Sequence, residues 1–284
     1  MKKFVYIILH YKNLKDTIEC IESIRKFSDN PIVIVDNHTL SKTDKKALDK
    51  YTKDIIMLSE NMGFAKANNI GVQYAKEKYN PNFYIVLNND IVINDRNFQN
   101  TIIEDYKKYE FDILGPRIDT NKGNSVNPFP VYKDEETVKR AIKKAKRNIS
   151  IQQSRFLYYL FSIYHTIKYS FKKETYLLNG EKIEKKIAIH GCAMIFSKKY
   201  IGKYKYALYN ETFLYHEEEF LFYRVQRDNL ISIYDPSLYC FHKEGASLNH
   251  LFNNNNRQKE IFRQKEILKS LEKLYEIMKE NKSI

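Results

Sequence analysis

Three short stretches hold side chains whose types and spacing could do chemistry. In Leu87-Asn88-Asn89-Asp90 an apolar run stops at a carboxylate. A strand ending this way can offer one oxygen ligand to Mg²⁺ or Mn²⁺, which accept few protein carboxylates when substrate phosphates complete the shell. The same residues also favour turns and could simply cap a strand. Phe213-Leu214-Tyr215-His216-Glu217-Glu218-Glu219 ends in three adjacent carboxylates. At a helix N-terminus these would be favoured by the dipole whatever their function, but one carboxylate held ionised beside a hydroxyl is also what a general base requires. The third stretch, Tyr239-Cys240-Phe241-His242-Lys243-Glu244-Gly245-Ala246-Ser247, places a histidine before a loop suited to closing over phosphates. A single histidine at a strand end is more often structural than a ligand.

The elements that must position these residues are legible as alternating runs. Phe4–Leu9, Ile32-Val33-Ile34-Val35, Asp54–Leu58 and Phe83–Leu87 read as strands, while Leu14–Phe27 carries apolar residues at helical spacing and a second helix is expected from Gly63 to about Lys78. Strands apolar on both faces and separated by helices indicate an α/β fold, Rossmann-like, with a mostly parallel central sheet covered by helices on both sides. Such sheets bind ligands at the C-terminal ends of their strands. Polar residues stand there: His10-Tyr11, Asp36-Asn37-His38 and Asn88-Asn89-Asp90. Further on, Ile187–Phe196 resumes strand character, Glu217–Arg227 reads as a helix, and Leu230–Tyr234 and Leu238–His242 as two short strands.

Between these halves the chain changes character. From Thr137 to Lys173 there is no acidic residue, ten are Lys or Arg, and aromatics such as Phe156, Tyr158 and Tyr159 are interleaved, as in an inserted helical pair. The reading is therefore a catalytic domain over residues 1–250 with a basic helical insertion at about 132–185. Residues 251–284 form a C-terminal amphipathic helix with Ile261, Leu268, Leu271, Tyr275 and Met278 on one stripe. That helix has mixed charges and is expected to pack on the domain or to pair with a second copy as a homodimer.

A net charge of +13 favours an anionic partner: nucleic acid, an anionic membrane surface or a phosphorylated substrate. Three scattered cysteines, Cys20, Cys192 and Cys240, argue against a disulfide framework and fit a reducing compartment. The apolar run near the N-terminus is too short for a membrane span and lacks a small-residue cleavage site, so it reads as a buried first strand. No GxGxxG follows that strand and no GxxxxGK[ST] occurs, which counts against a dinucleotide oxidoreductase or a P-loop NTPase.

Taken in order, "VIVDNHT", "NMGFAKANNIGVQYA", "YIVLNNDIVI", "GCAMIFSKK", "FLYHEEEFLFYRVQRDN" and "FHKEGAS" resemble the inverting glycosyltransferases of family 2, closest to their rhamnosyltransferase-like branch. The resemblance covers roughly residues 3–128 and 186–250, and implies a GT-A fold. It also implies that His10, Tyr11 and Asp36 lie at the nucleotide, with Asn61, Gly63, Phe64 and Asn68 lining its pocket. Asn88, Asn89 and Asp90 stand where the family has its DxD-like motif, with Asn in place of the first acid. Asp90 would bind Mg²⁺ or Mn²⁺ and His242 would complete the metal or diphosphate site. Gly191 and Cys192 match the small-residue turn facing donor sugar and acceptor. Glu217 and Glu218 match the family's Glu-Asp pair, whose second member is the base, so Glu218 is expected to be catalytic and Glu217 is its competitor.

The implied activity moves a sugar from a nucleotide-diphosphate donor, dTDP-rhamnose or a UDP-hexose, to a glycan acceptor carried on a lipid diphosphate. Such a step belongs to bacterial surface polysaccharide synthesis, in the cytoplasm at the inner face of the cell membrane. Two rival readings compete with it. A basic nucleic-acid-binding protein would explain the charge but not the motifs at the strand ends, so no nucleic-acid partner is expected. A nucleotidyltransferase shares the fold class, but the glycine-rich phosphate loop it needs is missing near the first strand.

Overall fold

In the computed structural model the residues described are 3–121, 123, 125–132, 134–154, 156–159, 182–243 and 256–284. They divide into two compact units. The first draws on Met1–Val131, Leu178–Phe213 and Glu217–Gly245, and contains every expected site residue.

Its centre is a nine-stranded sheet among the described residues. In chain order the strands are β1 (Phe4–His10), β2 (Ile32–Asp36), β3 (Ile55–Met57), β4 (Phe83–Asn88), β5 (Ile91–Val92), β6 (Ile113–Thr120), β7 (Glu184–Lys185), β8 (Ala193–Ser197) and β9 (Ser232–His242). The spatial order is β3-β2-β1-β4-β8-β6-β9-β5, with β7 beside β9. β1 to β4, β6 and β9 run in one direction, and β8, β5 and β7 run against it. The mostly parallel α/β architecture expected from the apolar runs is therefore present.

Period-2 alternation in β1 splits the core in two. Phe4, Tyr6 and Ile8 face one cluster, where α1 (Leu14–Arg25) contributes Cys20, Ile21 and Ile24 and α4 (Phe98–Tyr109) contributes Phe98 and Ile102. Val5, Ile7 and Leu9 face the other, filled by Ala65, Ala67, Val72 and Ala75 of α3 (Phe64–Tyr79). Each large aliphatic side chain buried this way stabilises the fold by about 1.5–3 kcal/mol.

The structure differs from the sequence reading at several points. α2 (Lys42–Leu48), α4 and β6 are elements that the apolar runs did not single out. The two short strands expected over residues 230–242 are one strand, β9. Its pairing with β6 steps from Pro116↔Asp235 to Arg117↔Tyr239, so Pro236, Ser237 and Leu238 are looped out as a bulge. The bulge admits a proline that reads locally as a break.

The second unit draws on Tyr132–Leu177, Leu214–His216 and Ala246–Ile284. Here α5 (Glu135–Gln153) starts at a capping box on Asp134 and Thr137, and buries Val138, Ala141 and Ala145. It packs on α8 (Asn256–Lys279). Insertion and tail are thus neighbours in one unit. The apolar positions buried in α8 are Leu271, Leu274 and Ile277, while Ile261, Leu268, Tyr275 and Met278 of the expected stripe are only half-buried. The buried face is rotated because polar Gln264, Glu266 and Ser270 share it, Glu266 with Lys269 as ion partner. Residues 160–181 of the expected helical insertion lie outside the described residues.

Candidate active site

The β-strand ends gather the expected residues into two halves. On the nucleotide side, β1 and β2 end level, with His10 paired to Asp36. Asp36 is 1% exposed and its oxygens accept hydrogen bonds from the backbone N–H groups of Thr39 and Leu40 at 2.8–3.2 Å. Its carboxylate therefore shapes the β2–α2 turn. Asn37 bridges to the next loop, donating to Gly63 O at 3.1 Å and accepting from Met62 N–H at 2.8 Å. Asn61 folds back to accept from Gly63 N–H at 3.0 Å, and its side chain also bonds Tyr11. Burial raises the Tyr11 pKa, and this bond partly offsets the shift.

Gly63 is the hinge of this loop. It has φ +80°, and a Cβ there would stand 2.1 Å from Phe213 O, the carbonyl that accepts the Phe64 N–H at 3.0 Å. Only glycine combines that conformation with that approach. Asn68, 1% exposed, donates to Phe64 O at 3.1 Å, and its own Oδ1 has no hydrogen-bond partner among the described residues. His10 is fully buried, with Nδ1 on Thr17 Oγ1 at 2.6 Å. Burial pushes its pKa down, with the Asp36 and Asp44 charges pulling the other way.

The reaction side forms where β4 meets β8 and where β5, just beyond β4, pairs with β9. Asn88 N–H donates to Cys192 O at 2.9 Å, tying the Asn88-Asn89-Asp90 stretch to the Gly191-Cys192 turn. Within that stretch the three side chains diverge. Asn88 is half-buried, Asn89 turns to α1 and donates to Asn13 O and Thr17 Oγ1, and Asp90 points to β9. Antiparallel pairing of β5 and β9 sets Ile91 against His242, which brings His242 Nε2 to 3.2 Å from Asp90 Oδ1. Lys243 then anchors the strand end through ion pairs to Asp16 and Glu19 of α1.

The carboxylate run opens α7 (Glu217–Arg227), which the chain enters through Tyr215 and His216 at φ 70° and 69°. Glu217 and Glu219 are each 5% exposed, whereas Glu218 is half-buried. Glu218 Oε1 accepts the Gly191 N–H at 2.8 Å. A Cβ at Gly191 would sit 2.9 Å from that same oxygen, so glycine is what lets the carboxylate reach the backbone. Burial drives the Cys192 thiol pKa far up, and both Asp90 and Glu218 add to the shift. The turn at 191–192 therefore lies within electrostatic reach of both carboxylates.

Asp90 and His242 offer one carboxylate oxygen and one imidazole nitrogen side by side, a donor set that suits Mn²⁺ and, less well, the oxygen-preferring Mg²⁺. His242 Nδ1 is buried without a hydrogen-bond partner among the described residues, which leaves the ring's orientation to the Asp90 contact. No group of three or more His, Cys, Asp and Glu residues suited to a metal occurs among the described residues. Substrate phosphates would have to complete the shell. The loop expected to close over them begins at residue 244, outside the described residues.

Two residues at this site escaped the sequence reading. Asn37 has no role of its own in the sequence pattern. His190, immediately before Gly191, accepts the Cys192 N–H at its Nδ1 (3.1 Å) and stands with its ring centre 6.3 Å from that of His242. A histidine directly before a Gly-Cys turn was the available signal.

Comparison with known proteins bears on the fold and the family. Solved structures with the same fold include Staphylococcus aureus TarS residues 1–349 in complex with UDP-GlcNAc (16% identity, TM-score 0.51, covering 86% of this chain and 59% of that one). Another is GalNAc-T7 with UDP, GalNAc and Mn²⁺ (13% identity, TM-score 0.55, covering 85% and 43%). The chain thus spans less than two thirds of the length of either, and the likeness is one of fold, GT-A. No curated protein matches by sequence. Residues 6–202 match the family described as glycosyl transferase family 2. With more than half of its length matched, the chain belongs to glycosyl transferase family 2.

Proposed function

We propose that the chain is an inverting glycosyltransferase that moves a sugar from a nucleoside diphosphate donor to a glycan hydroxyl. The observation that carries this reading is the 191–192 turn, with Glu218 held on Gly191 N–H and the Asp90–His242 pair joined through Asn88 and Cys192. Glu218 is the proposed base, because it alone of the three adjacent carboxylates is more than marginally exposed; Glu217 is the alternative. It takes the acceptor's proton as the acceptor oxygen attacks the anomeric carbon from the face opposite the diphosphate. The bond to the diphosphate breaks, its electron pair leaves on the phosphate oxygen, and configuration inverts. One carboxylate suffices, unlike the pair used in glycoside hydrolysis. Asp90 and His242 would hold a divalent cation, which supplies Lewis-acid stabilisation of diphosphate charge.

TarS and GalNAc-T7 were solved with uridine nucleotides, which supports a UDP-hexose as the first donor to test beside dTDP-rhamnose. The acceptor we infer is a lipid-linked glycan of bacterial surface polysaccharide synthesis, such as capsule or O-antigen. Two features of the second unit support a membrane-side location. α5 exposes Lys139, Arg140, Lys143, Lys144 and Arg147, and Phe156 and Tyr159 beyond it are 69% and 63% exposed. Basic residues near anionic lipid contribute about 1 kcal/mol each and aromatic insertion adds to that. No helix among the described residues is long and apolar enough to cross a membrane.

A thermal-shift panel of sugar nucleotides with and without Mn²⁺ tests the activity. A cognate donor at 100 times its Kd adds about 2.7 kcal/mol. No shift with any donor, or pyrophosphate release from a nucleoside triphosphate and a sugar phosphate, would overturn the reading. For the membrane, vesicle co-sedimentation should rise with anionic lipid and fall with salt. Binding that ignores both, or survives Lys143, Lys144, Lys146 and Arg147 all changed to Glu, would refute it.

A further inference from the structure

We infer that a groove along α3 is a binding site for the lipid carrier of the acceptor, an apolar chain that ends in a diphosphate. This rests on the functional reading above and deepens it. The groove is a cavity of about 780 Å³ in the first unit, walled by β3, α3 and the loop that follows α6 (Lys198–Lys203). That size falls within the roughly 300–1,000 Å³ usual for small-ligand sites.

The sequence of the helix explains how the groove arises. Ala65, Ala67, Val72 and Ala75 turn to the sheet, which leaves Lys66, Ile70, Gln73 and Glu77 as a stripe at helical spacing along the groove. Such an outward stripe is ordinarily polar throughout. Here Ile70 interrupts it, and Ile56, Met62 and Tyr206 extend the apolar floor. Tyr74, whose hydroxyl is bound to Asp54 at 2.7 Å, offers the groove its ring. Two cations stand on this lining, Lys66 and Lys205, and neither has an ion-pair partner among the described residues. Its one acid, Glu77, accepts the Gln73 amide at 2.6 Å and lies about 16 Å along the helix from Lys66. Apolar surface beside uncompensated ammonium groups suits an anionic amphiphile, whose chain covers the floor while phosphate oxygens meet the lysines. A bare glycan has no apolar chain to cover Ile56, Met62 and Ile70.

The walls are fixed in advance. Asn69 of α3 clamps the loop, donating to Leu208 O and accepting from Leu208 N–H at 2.9 Å each. Arg224 of α7 donates to Tyr206 O and Ala207 O at 3.0 Å each, and Tyr209 stacks on Phe220 at 4.4 Å. The loop is therefore tied to the helix that carries Glu218. A carrier held here tethers its glycan to the enzyme and raises the local concentration of the acceptor hydroxyl.

The test titrates the whole chain calorimetrically with farnesyl diphosphate, inorganic diphosphate and octyl glucoside below their micelle concentrations, and in parallel with UDP and dTDP. Farnesyl diphosphate should bind the wild type at least about 10-fold more tightly than either of the other two amphiphile probes. Ile70→Glu, and separately Lys66→Ser with Lys205→Ser, should each weaken it about 10-fold or more. Melting temperature and nucleotide affinity should stay as in wild type. If UDP or dTDP binds but farnesyl diphosphate does not, or binds the variants equally well, the inference fails alone. Equal affinity for inorganic diphosphate would make the groove a free-anion site and overturn it. Equal affinity for octyl glucoside, or a dimer that Ile70→Glu abolishes, would give the apolar floor another occupant and overturn it too. Loss of nucleotide affinity in the variants would make these residues supports of the nucleotide loop, against the inference. A chain that binds neither UDP nor dTDP overturns the functional reading and the carrier role with it.

Discussion

The two halves of the site are built on opposite plans. On the nucleotide side, Asp36 and Asn37 direct side-chain hydrogen bonds at the backbone of neighbouring loops, and Asn61 does so beside its bond to Tyr11. On the reaction side, Asp90 meets His242 and Glu218 meets the Gly191 N–H. The first half is a shape that side-chain bonds to the backbone hold in place. The second presents groups with coordinating capacity to spare. Recognition should therefore fail through geometry, and chemistry through the loss of one atom.

Mutation can break this contrast, and the largest effect belongs to the reaction side. Glu218→Gln keeps an oxygen for Gly191 N–H but removes the base. Turnover should fall about 10²–10⁴-fold with donor affinity nearly unchanged, as steady-state rates and titration would show. Normal turnover in Glu218→Gln with a dead Glu217→Gln would move the base by one residue.

Gly63→Ala attacks the nucleotide side. The new Cβ meets Phe213 O at 2.1 Å in a left-handed backbone. Left-handed strain alone costs of order 1–3 kcal/mol, so the melting temperature should drop by several degrees, at about 2–4 °C per kcal/mol. Donor affinity should fall with it, whereas the Glu218→Gln chain keeps both. An alanine variant that melts and binds like wild type would erase the contrast.

The smallest effect lies outside both halves and serves as a control. Asp105 of α4 is buried beside Asp235, and burial first, then the Asp235 charge, push its pKa up to about 7. The folded value lies above the unfolded carboxylate value, so its stabilising contribution is complete at low pH and is lost as pH rises through about 7. Asp105→Asn should flatten that part of the decline in urea midpoints between pH 5 and 8 and leave turnover untouched. An unchanged slope would contradict the assignment.

How much of this was legible in the sequence follows from what makes a local signal. Continuous apolar runs revealed β1, β2 and β4, because a strand covered on both faces has no polar side. The polar residues ending them marked the ligand end of the sheet. Family motifs then assigned roles to Asp90, Gly191, Glu218 and His242 that no local pattern could supply. What stayed hidden depends on pairing at long range. β9 reads as two strands because Pro236 is accommodated only by a bulge against β6. The bonds by which Asp36 orders the β2–α2 turn through Thr39 and Leu40 have no local signature. His190 gains meaning only from Cys192, Asn127 and His242, two of them more than 50 residues away.

The most direct test of the central claim is the anomeric configuration of the product. One carboxylate acting as a base on the acceptor permits a single displacement and no covalent sugar intermediate. Proton NMR of the first product formed from an α-configured donor should show a β linkage, and from a β-configured donor an α linkage. A product that retains the donor's configuration would contradict the role given to Glu218 and the mechanism built on it.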